Sequence, residues 1–165
     1  MWSEEELRRD VEPYKYGGEA MNAKDYLNQI RILDTRIRIL EAELEAVRND
    51  YTTITGIRLD GMPHGTGTSD PTAGKAIELI NKLEQYEVKI LDLRGKLLQR
   101  RIETVELIGH MEHPDLEQIL YLRYVQLKRW ETIAYEMGYT WRHTLRLHGT
   151  ALQEVNKLLE ERHVG

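Results

Sequence analysis

Residues 130–152, WETIAYEMGYTWRHTLRLHGTAL, contain two helical patterns separated by a short turn. The first pattern, Trp130–Met137, places its apolar residues on one face. Ala134 lies on that face, and its small side chain lets a neighbouring helix approach closely. The second pattern, Trp141–Arg162, is longer and repeats leucines that can pack against the first. Two helices joined in this way predict a small helical domain.

The turn between the patterns, Gly138-Tyr139-Thr140, has the chemistry of a helix stop followed by a helix start. Glycine permits a positive φ, and Thr140 can cap the next helix, leaving its amide groups free to face phosphate. No acid precedes Glu154 in that helix. Its first turns contain Trp141, Arg142, His143, Arg146 and His148. This combination predicts a helix-turn-helix whose second helix enters the major groove of double-stranded DNA.

The same residues resemble the fourth conserved region of bacterial primary sigma factors, which binds the promoter −35 element. Residues 130–140 match the first motif helix and turn of that family without a gap, and residues 144–152 match its recognition helix. Residues 119–124 are similar to the preceding helix. As a whole, the chain resembles small phage and prophage regulators of late transcription, of the ArpU or RinA type.

By position, the resemblance implies DNA contacts at Trp141, Arg142, His143 and Arg146. Trp141 stands where the family usually has arginine, and Leu145 replaces a second basic residue, so the preferred hexamer does not carry over. No stretch resembles the sigma region that melts the −10 element. The resemblance therefore implies a regulator with one sigma module rather than a complete sigma factor.

Two long heptad patterns precede this domain. The first, in a helix expected over residues 22–50, is formed by Tyr26, Ile30, Leu33, Ile37, Leu40, Leu44, Val47 and Tyr51. The second, in a helix expected from Pro71 to Met111, contains Leu79, Leu83, Tyr86, Ile90, Leu93 and Leu97, followed by a neighbouring stripe of Leu98, Ile102, Val105 and Ile108. Two such seams predict an antiparallel helical hairpin, although pairing between chains is equally compatible with them.

The predicted fold is all-α, with a long antiparallel hairpin or coiled coil followed by the sigma-like helix-turn-helix domain. We expect a tail at residues 1–20, the hairpin at 21–112 and the DNA-binding domain at 113–165. A glycine-rich loop is expected at 52–72, because Thr52–Gly56 favours extended backbone and Asp70-Pro71 then caps and opens a helix. A further helix is expected over Asp115–Leu127, with Asp115 as its cap.

Composition excludes several classes of function. The chain has no cysteine, no apolar run long enough for a membrane span and no Ser-His-Asp arrangement. Neither His110 with His113 nor His143 with His148 has the spacing of a helical metal pair. We therefore expect no catalytic residue, metal or cofactor, and a cytoplasmic location. The net charge is −5, yet residues 121–150 carry an excess of bases: Arg123, Lys128, Arg129, Arg142 and Arg146 against Glu131 and Glu136.

The expected function is that of a sequence-specific transcription regulator rather than an enzyme. Arg142 and Arg146 would read bases, while Lys128 and Arg129 would position the domain on phosphates. One module is small, so we expect a homodimer formed through the coiled coil, or a contact with RNA polymerase. Two alternatives remain open: a phage DNA-packaging protein of the small-terminase kind, and an adaptor that contacts polymerase without binding DNA.

Overall fold

The computed structural model describes residues 22–56 and 71–164, and every regular element within them is a helix. The prediction of an all-α fold is confirmed for these residues, which contain no strand. The helices are α1 (Ala23–Gly56), α2 (Pro71–Ile108), α3 (Pro114–Leu120), α4 (Trp130–Met137) and α5 (Trp141–Val164). None of the described helices combines the length and apolar character needed to cross a membrane. The predicted tail at residues 1–20 lies outside the described residues.

The first helix continues beyond its predicted end. The prediction of extended backbone over Thr52–Gly56 is wrong, because α1 includes this whole stretch. The hydroxyls of Thr52 and Thr53 donate to the carbonyls of Arg48 and Asn49, each at 2.9 Å. A threonine that bonds to the carbonyl four residues earlier is accommodated within a helix, so its β-branched side chain does not end α1.

The range 52–72 predicted for the glycine-rich loop therefore overlaps α1 up to Gly56 and α2 from Pro71. The second helix begins at Pro71, as predicted, where the fixed φ of proline suits the first helical position. Residues 57–70, with the predicted cap Asp70, lie outside the described residues.

The described residues form two compact units, and this division differs from the predicted boundary between residues 112 and 113. Of the described residues, 22–32 and 99–164 belong to one unit, and those within Leu33–Leu98 belong to the other. The physical reason is that Leu27 of α1 and Leu107 of α2 are fully buried in one core with residues of the later helices. The start of α1 and the end of α2 thus belong to the unit that contains α3, α4 and α5.

Within the Leu33–Leu98 unit, α1 and α2 lie antiparallel. Arg94 of α2 bonds to Glu41 of α1 at 2.5 Å, and Arg48 of α1 lies 3.5 Å from Glu87 of α2. A step of seven residues forward in α1 thus corresponds to seven residues back in α2. The heptads of this unit therefore pair within the chain, an alternative that the sequence left open.

An apolar seam stabilises this pairing more than the ion pairs do. Full burial of a Leu or Ile side chain contributes about 1.5–3 kcal/mol, whereas an exposed ion pair contributes about 0–1 kcal/mol. The buried seam residues of this unit are Leu33, Ile37, Leu79, Ile90, Leu93 and Leu97.

Near its end, α2 keeps its original seam, and of the four residues of the predicted neighbouring stripe only Ile108 is buried, at 1% exposure. The exposed side chains include Leu98, Ile102 and Val105. The seam instead continues through Thr104 and Leu107, which are 0% and 1% exposed. Arg100 occupies a seam position between these groups, and its guanidinium lies 5.2 Å from the centre of the Tyr26 ring. This cation–π contact accommodates the charge of Arg100 at a position where the heptad pattern predicts an apolar side chain.

The start of α3 differs from its prediction. His113 precedes the helix without a side-chain capping bond, and Pro114 occupies the first helical position. Asp115 lies inside the first turn, so its predicted role as the cap is wrong. A proline at the first position lacks the N–H that a cap would have to satisfy.

Beyond α3, the chain forms one wider helical turn before it leaves the helix. Residues Tyr121–Val125 adopt π-helical geometry, in which the Gln126 N–H donates to the Tyr121 carbonyl at 3.0 Å. Leu127 has a φ of 56°, in the left-handed region that ends a helix. Within this turn, the side chains of Leu122 and Tyr124 are both buried in the core.

Candidate nucleic-acid interface

The turn between α4 and α5 has the backbone geometry that its glycine predicts. Gly138 has a φ of 69°. Its N–H donates to the Tyr135 carbonyl at 3.2 Å, and the Tyr139 N–H donates to the Ala134 carbonyl at 2.9 Å. These two bonds form a Schellman motif, which satisfies the last carbonyls of α4. The bounds of α4 are also those predicted, Trp130–Met137.

Thr140 caps α5, as predicted. Its hydroxyl oxygen accepts from the His143 N–H at 3.3 Å, and its carbonyl accepts from the Thr144 N–H at 3.0 Å. The Thr144 hydroxyl donates to the same carbonyl at 3.1 Å, which satisfies a side chain that is fully buried. The first turn of α5 contains no acid, so the partial positive charge of this helix end is not neutralised within that turn.

Helix α5 has one face in the core and one face in solvent. It packs against α3 and α4. On the buried face, Thr144, Ala151 and Val155 are each 0% exposed. Trp141, Arg142, Arg146, Gly149, Thr150 and Gln153 are exposed. Sequence reasoning identified the first three of these and missed the last three, although their helical spacing from Arg142 and Arg146 was available as a signal.

Arg146 is held by a chain of contacts that begins in α3. Its guanidinium nitrogen lies 2.9 Å from Nδ1 of His143. Because a guanidinium can only donate, the ring nitrogen is the acceptor in this contact. The ring of Tyr139 meets the His143 ring edge-on, with centroids 4.7 Å apart, and the Tyr139 hydroxyl donates to Asp115 at 2.6 Å. The hydrogen bond to Asp115 raises the pKa of Tyr139. Arg146 is thus oriented before any ligand binds.

His148, which the sequence grouped with the groove-facing residues, is directed into the domain. Its Nε2 lies 2.9 Å from the Tyr124 hydroxyl. Its ring stacks on Tyr124 at 5.7 Å and meets Trp130 edge-on at 4.7 Å. Burial, with the nearby charges of Arg123 and Lys24, lowers the pKa of His148 to about 4. The ring is therefore neutral at pH 7, and the grouping of His148 with the groove-facing residues is wrong.

The two cations predicted to lie on phosphates differ in their surroundings. The Lys128 ammonium lies 2.7 Å from each carboxylate oxygen of Glu136, so its charge is neutralised within the domain. Arg129 is exposed at the start of α4 and has no ion pair among the described residues. Of the pair, Arg129 is therefore the cation that is available to an anionic ligand.

Arg123 was noted in the sequence only as one of the bases of residues 121–150, and in the structure it supports the connection between α3 and α4. Its guanidinium lies 4.6 Å from the Trp130 ring centre and donates to the Lys128 carbonyl at 2.8 Å. Burial and the neighbouring Arg31 of α1 lower the pKa of Arg123. The local sequence carries no signal for this role, because the contacts depend on where α4 and α1 lie in the fold.

No group of three His, Asp or Glu side chains able to hold a metal ion occurs within residues 22–56 and 71–164. Comparison of the chain with protein-family models, with curated proteins and with solved structures finds no match.

Proposed function

We propose that this protein is a sequence-specific transcription regulator that recognises promoter DNA through a sigma-like helix-turn-helix formed by α4 and α5. One observation carries the proposal. A glycine turn with positive φ joins two packed helices, and the second presents exposed Arg142 and Arg146 opposite its buried face. This is the arrangement by which helix-turn-helix domains place a recognition helix in the major groove. By its resemblance to phage late-transcription regulators, we propose a phage or prophage origin.

The recognition step follows from the exposed side chains of α5. Arg142 and Arg146 would each pair with the O6 and N7 acceptors of a guanine, and a good pair of this kind contributes about 1–3 kcal/mol of discrimination. Trp141, which is 55% exposed, would contact a thymine methyl group. His143 would act mainly by orienting Arg146, because its ring is occupied by Tyr139 and the arginine.

Contacts to the DNA backbone would fix the position of the domain without reading sequence. The amino-terminal amide groups of α5, beside Thr140, are suited to one phosphate. Arg129 is suited to another, whereas Lys128 already satisfies Glu136. This revises the contact set expected from the sequence by giving Lys128 a structural role.

A homodimer remains part of the proposal, because a single small module binds DNA with limited specificity. In the Leu33–Leu98 unit, α1 and α2 already cover each other's seam, so a dimer needs a different surface. The exposed apolar side chains of α2 in that unit offer one: Ile77, Ile80, Val88, Leu91 and Leu98. A contact with RNA polymerase would serve the same purpose.

The test is binding of the purified chain to genomic fragments from its own source at two salt concentrations, followed by sequencing of the retained DNA. We expect a short motif upstream of genes, with weaker retention at high salt because phosphate contacts release counterions. The variant Arg142→Ala with Arg146→Ala should no longer enrich the motif. The variant Arg38→Ala with Lys82→Ala is the control, since it removes two exposed positive charges outside α5.

Three other results would each contradict part of the proposal. Enrichment of one site in packaging genes, with ring-shaped oligomers in solution, would support the small-terminase alternative. No enrichment at either salt concentration would favour the adaptor. If the double arginine variant still enriches the motif, Arg142 and Arg146 are not the residues that contact its bases.

A further inference from the structure

The outer face of α5 contains a glycine that the fold does not require. Gly149 is exposed in the interior of the helix, and a Cβ at this position would meet no atom within 4 Å beyond its chain neighbours and the adjoining backbone of α5. Glycine is among the least favourable residues inside a helix, because it has the most backbone freedom to lose. Gly149 therefore weakens α5 without relieving any crowding within the chain. A local choice that opposes the fold in this way is expected where a surface serves function.

The position of Gly149 places it among the exposed arginines. It follows Arg142 by two helical turns and Arg146 by three residues, and Gln153 follows it by one turn, so all four residues share one face. The opposite face carries Thr144 and other fully buried residues. Gly149 is thus the one position on this face where nothing projects from the helix backbone between longer polar side chains.

We infer that Gly149 is the point at which α5 comes closest to the floor of the DNA major groove, and that the reading surface continues beyond it to Gln153. This inference rests on the proposed function. Without a side chain at Gly149, the helix axis can lie deeper between the groove walls while Arg142 and Arg146 reach neighbouring bases. The amide of Gln153 carries a donor and an acceptor, the pair that matches N7 and N6 of adenine.

Replacement of Gly149 distinguishes a role in DNA binding from a structural role, because it should raise stability and lower the affinity for DNA. Gly149→Ala should raise Tm by about 2–4 °C, since alanine favours the helix and its methyl group has free space. The same variant should weaken binding to the enriched DNA about tenfold, the scale of one mismatched base pair. Gly149→Gln, with a longer side chain, should weaken binding further while the protein stays folded.

The matched control is Gly74→Ala, at an exposed position of α2 where an added Cβ also meets nothing. It should leave affinity unchanged. Gly95 is also open, but it lies between the exposed Leu91 and Leu98 and is less suitable, because that surface is where we place a dimer. A loss of affinity in Gly74→Ala equal to that in Gly149→Ala would show a general effect and overturn the inference.

Gln153→Ala supplies a second measurement. We expect it to relax the preference at one adenine of the motif while binding to the rest is retained. If the wild-type chain binds its motif and the variants at Gly149 and Gln153 bind with unchanged affinity and preference, the inference fails and the proposed function stands. If the wild-type chain binds no DNA, the inference falls together with the proposed function.

Discussion

The Leu33–Leu98 unit pairs two long helices along a repeated apolar seam, whereas the unit that contains α3, α4 and α5 depends on contacts that each occur once. In the first case the cross-helix ion pairs recur at heptad spacing and are exposed. In the second, the Tyr124 hydroxyl lies 2.9 Å from His148, and the Tyr139 hydroxyl donates to Asp115 at 2.6 Å. A repeated apolar seam specifies which helices pair. Contacts that occur only once hold individual side chains in the positions that the proposed DNA recognition requires.

The largest expected change in stability comes from a cavity in the core of the unit that contains α3, α4 and α5. Ile133→Ala removes most of a side chain that is 0% exposed in α4. We expect a loss of about 2–5 kcal/mol in the free energy of unfolding, measured by urea denaturation. Tyr135→Ala, at an 88% exposed position of the same helix, is the control and should change stability little. Equal effects of both substitutions would contradict the burial described for α4.

The same glycine substitution should have opposite effects on stability at a turn with positive φ and in the interior of a helix. Gly138→Ala forces a Cβ into left-handed backbone and should cost about 1–2 kcal/mol. Gly95→Ala, in the helical interior of α2 with open space around it, should stabilise by up to about 1 kcal/mol. Thermal and urea unfolding of both variants would measure the difference. Stabilisation by Gly138→Ala would show that the turn between α4 and α5 does not have positive φ.

The pH dependence of stability should report the half-buried imidazole of His148. Its pKa falls from 6.5 to about 4 on folding, chiefly through burial. Between these values the unfolded chain binds a proton that the folded chain does not, so stability declines as the pH is lowered from 6.5 towards 4. His148→Gln should flatten this part of the profile, as followed by urea unfolding from pH 7 to pH 5. His113→Gln, which removes an exposed imidazole, is the control. An unchanged slope in the first variant would contradict the position of His148 against Tyr124 and Trp130.

The smallest expected effect concerns the register of the seam. Glu41→Arg should place two cations together and cost about 0.2–1 kcal/mol, because the pair is exposed. Adding Arg94→Glu should restore the lost stability if the two residues face each other. A double-mutant cycle measures this coupling. No coupling between the two positions would contradict the antiparallel register of α1 and α2.

The sequence predicts the parts of the molecule that depend on local chemistry. The bounds of α4, the Gly138 turn and the Thr140 cap follow from residues within a few positions of one another. The buried seam residues of α1 and α2 follow from the heptad spacing. It does not predict that Thr52–Gly56 stays helical, because the propensity of threonine for extended backbone is overcome by bonds to the preceding turn.

The parts that sequence reasoning missed depend on which elements meet in space. His148 follows Trp141 by two helical turns, so periodicity places both on one side of α5, and only the rings of Tyr124 and Trp130 decide that His148 is directed inward. Lys128 and Glu136 are eight residues apart, outside the spacing of three or four at which helix neighbours meet, yet the ammonium lies 2.7 Å from the carboxylate. Such contacts carry no local signal.

The most direct test of recognition through α5 is the affinity of the chain for its enriched motif relative to a scrambled duplex of equal length and composition. At one physiological salt concentration we expect a preference of about 10³-fold or more, as specific DNA-binding domains show. The variant Arg142→Ala with Arg146→Ala should reduce this ratio towards one, while Arg38→Ala with Lys82→Ala should leave it unchanged. A ratio near one for the wild-type chain, or an undiminished ratio in the double arginine variant, would contradict recognition through the outer face of α5.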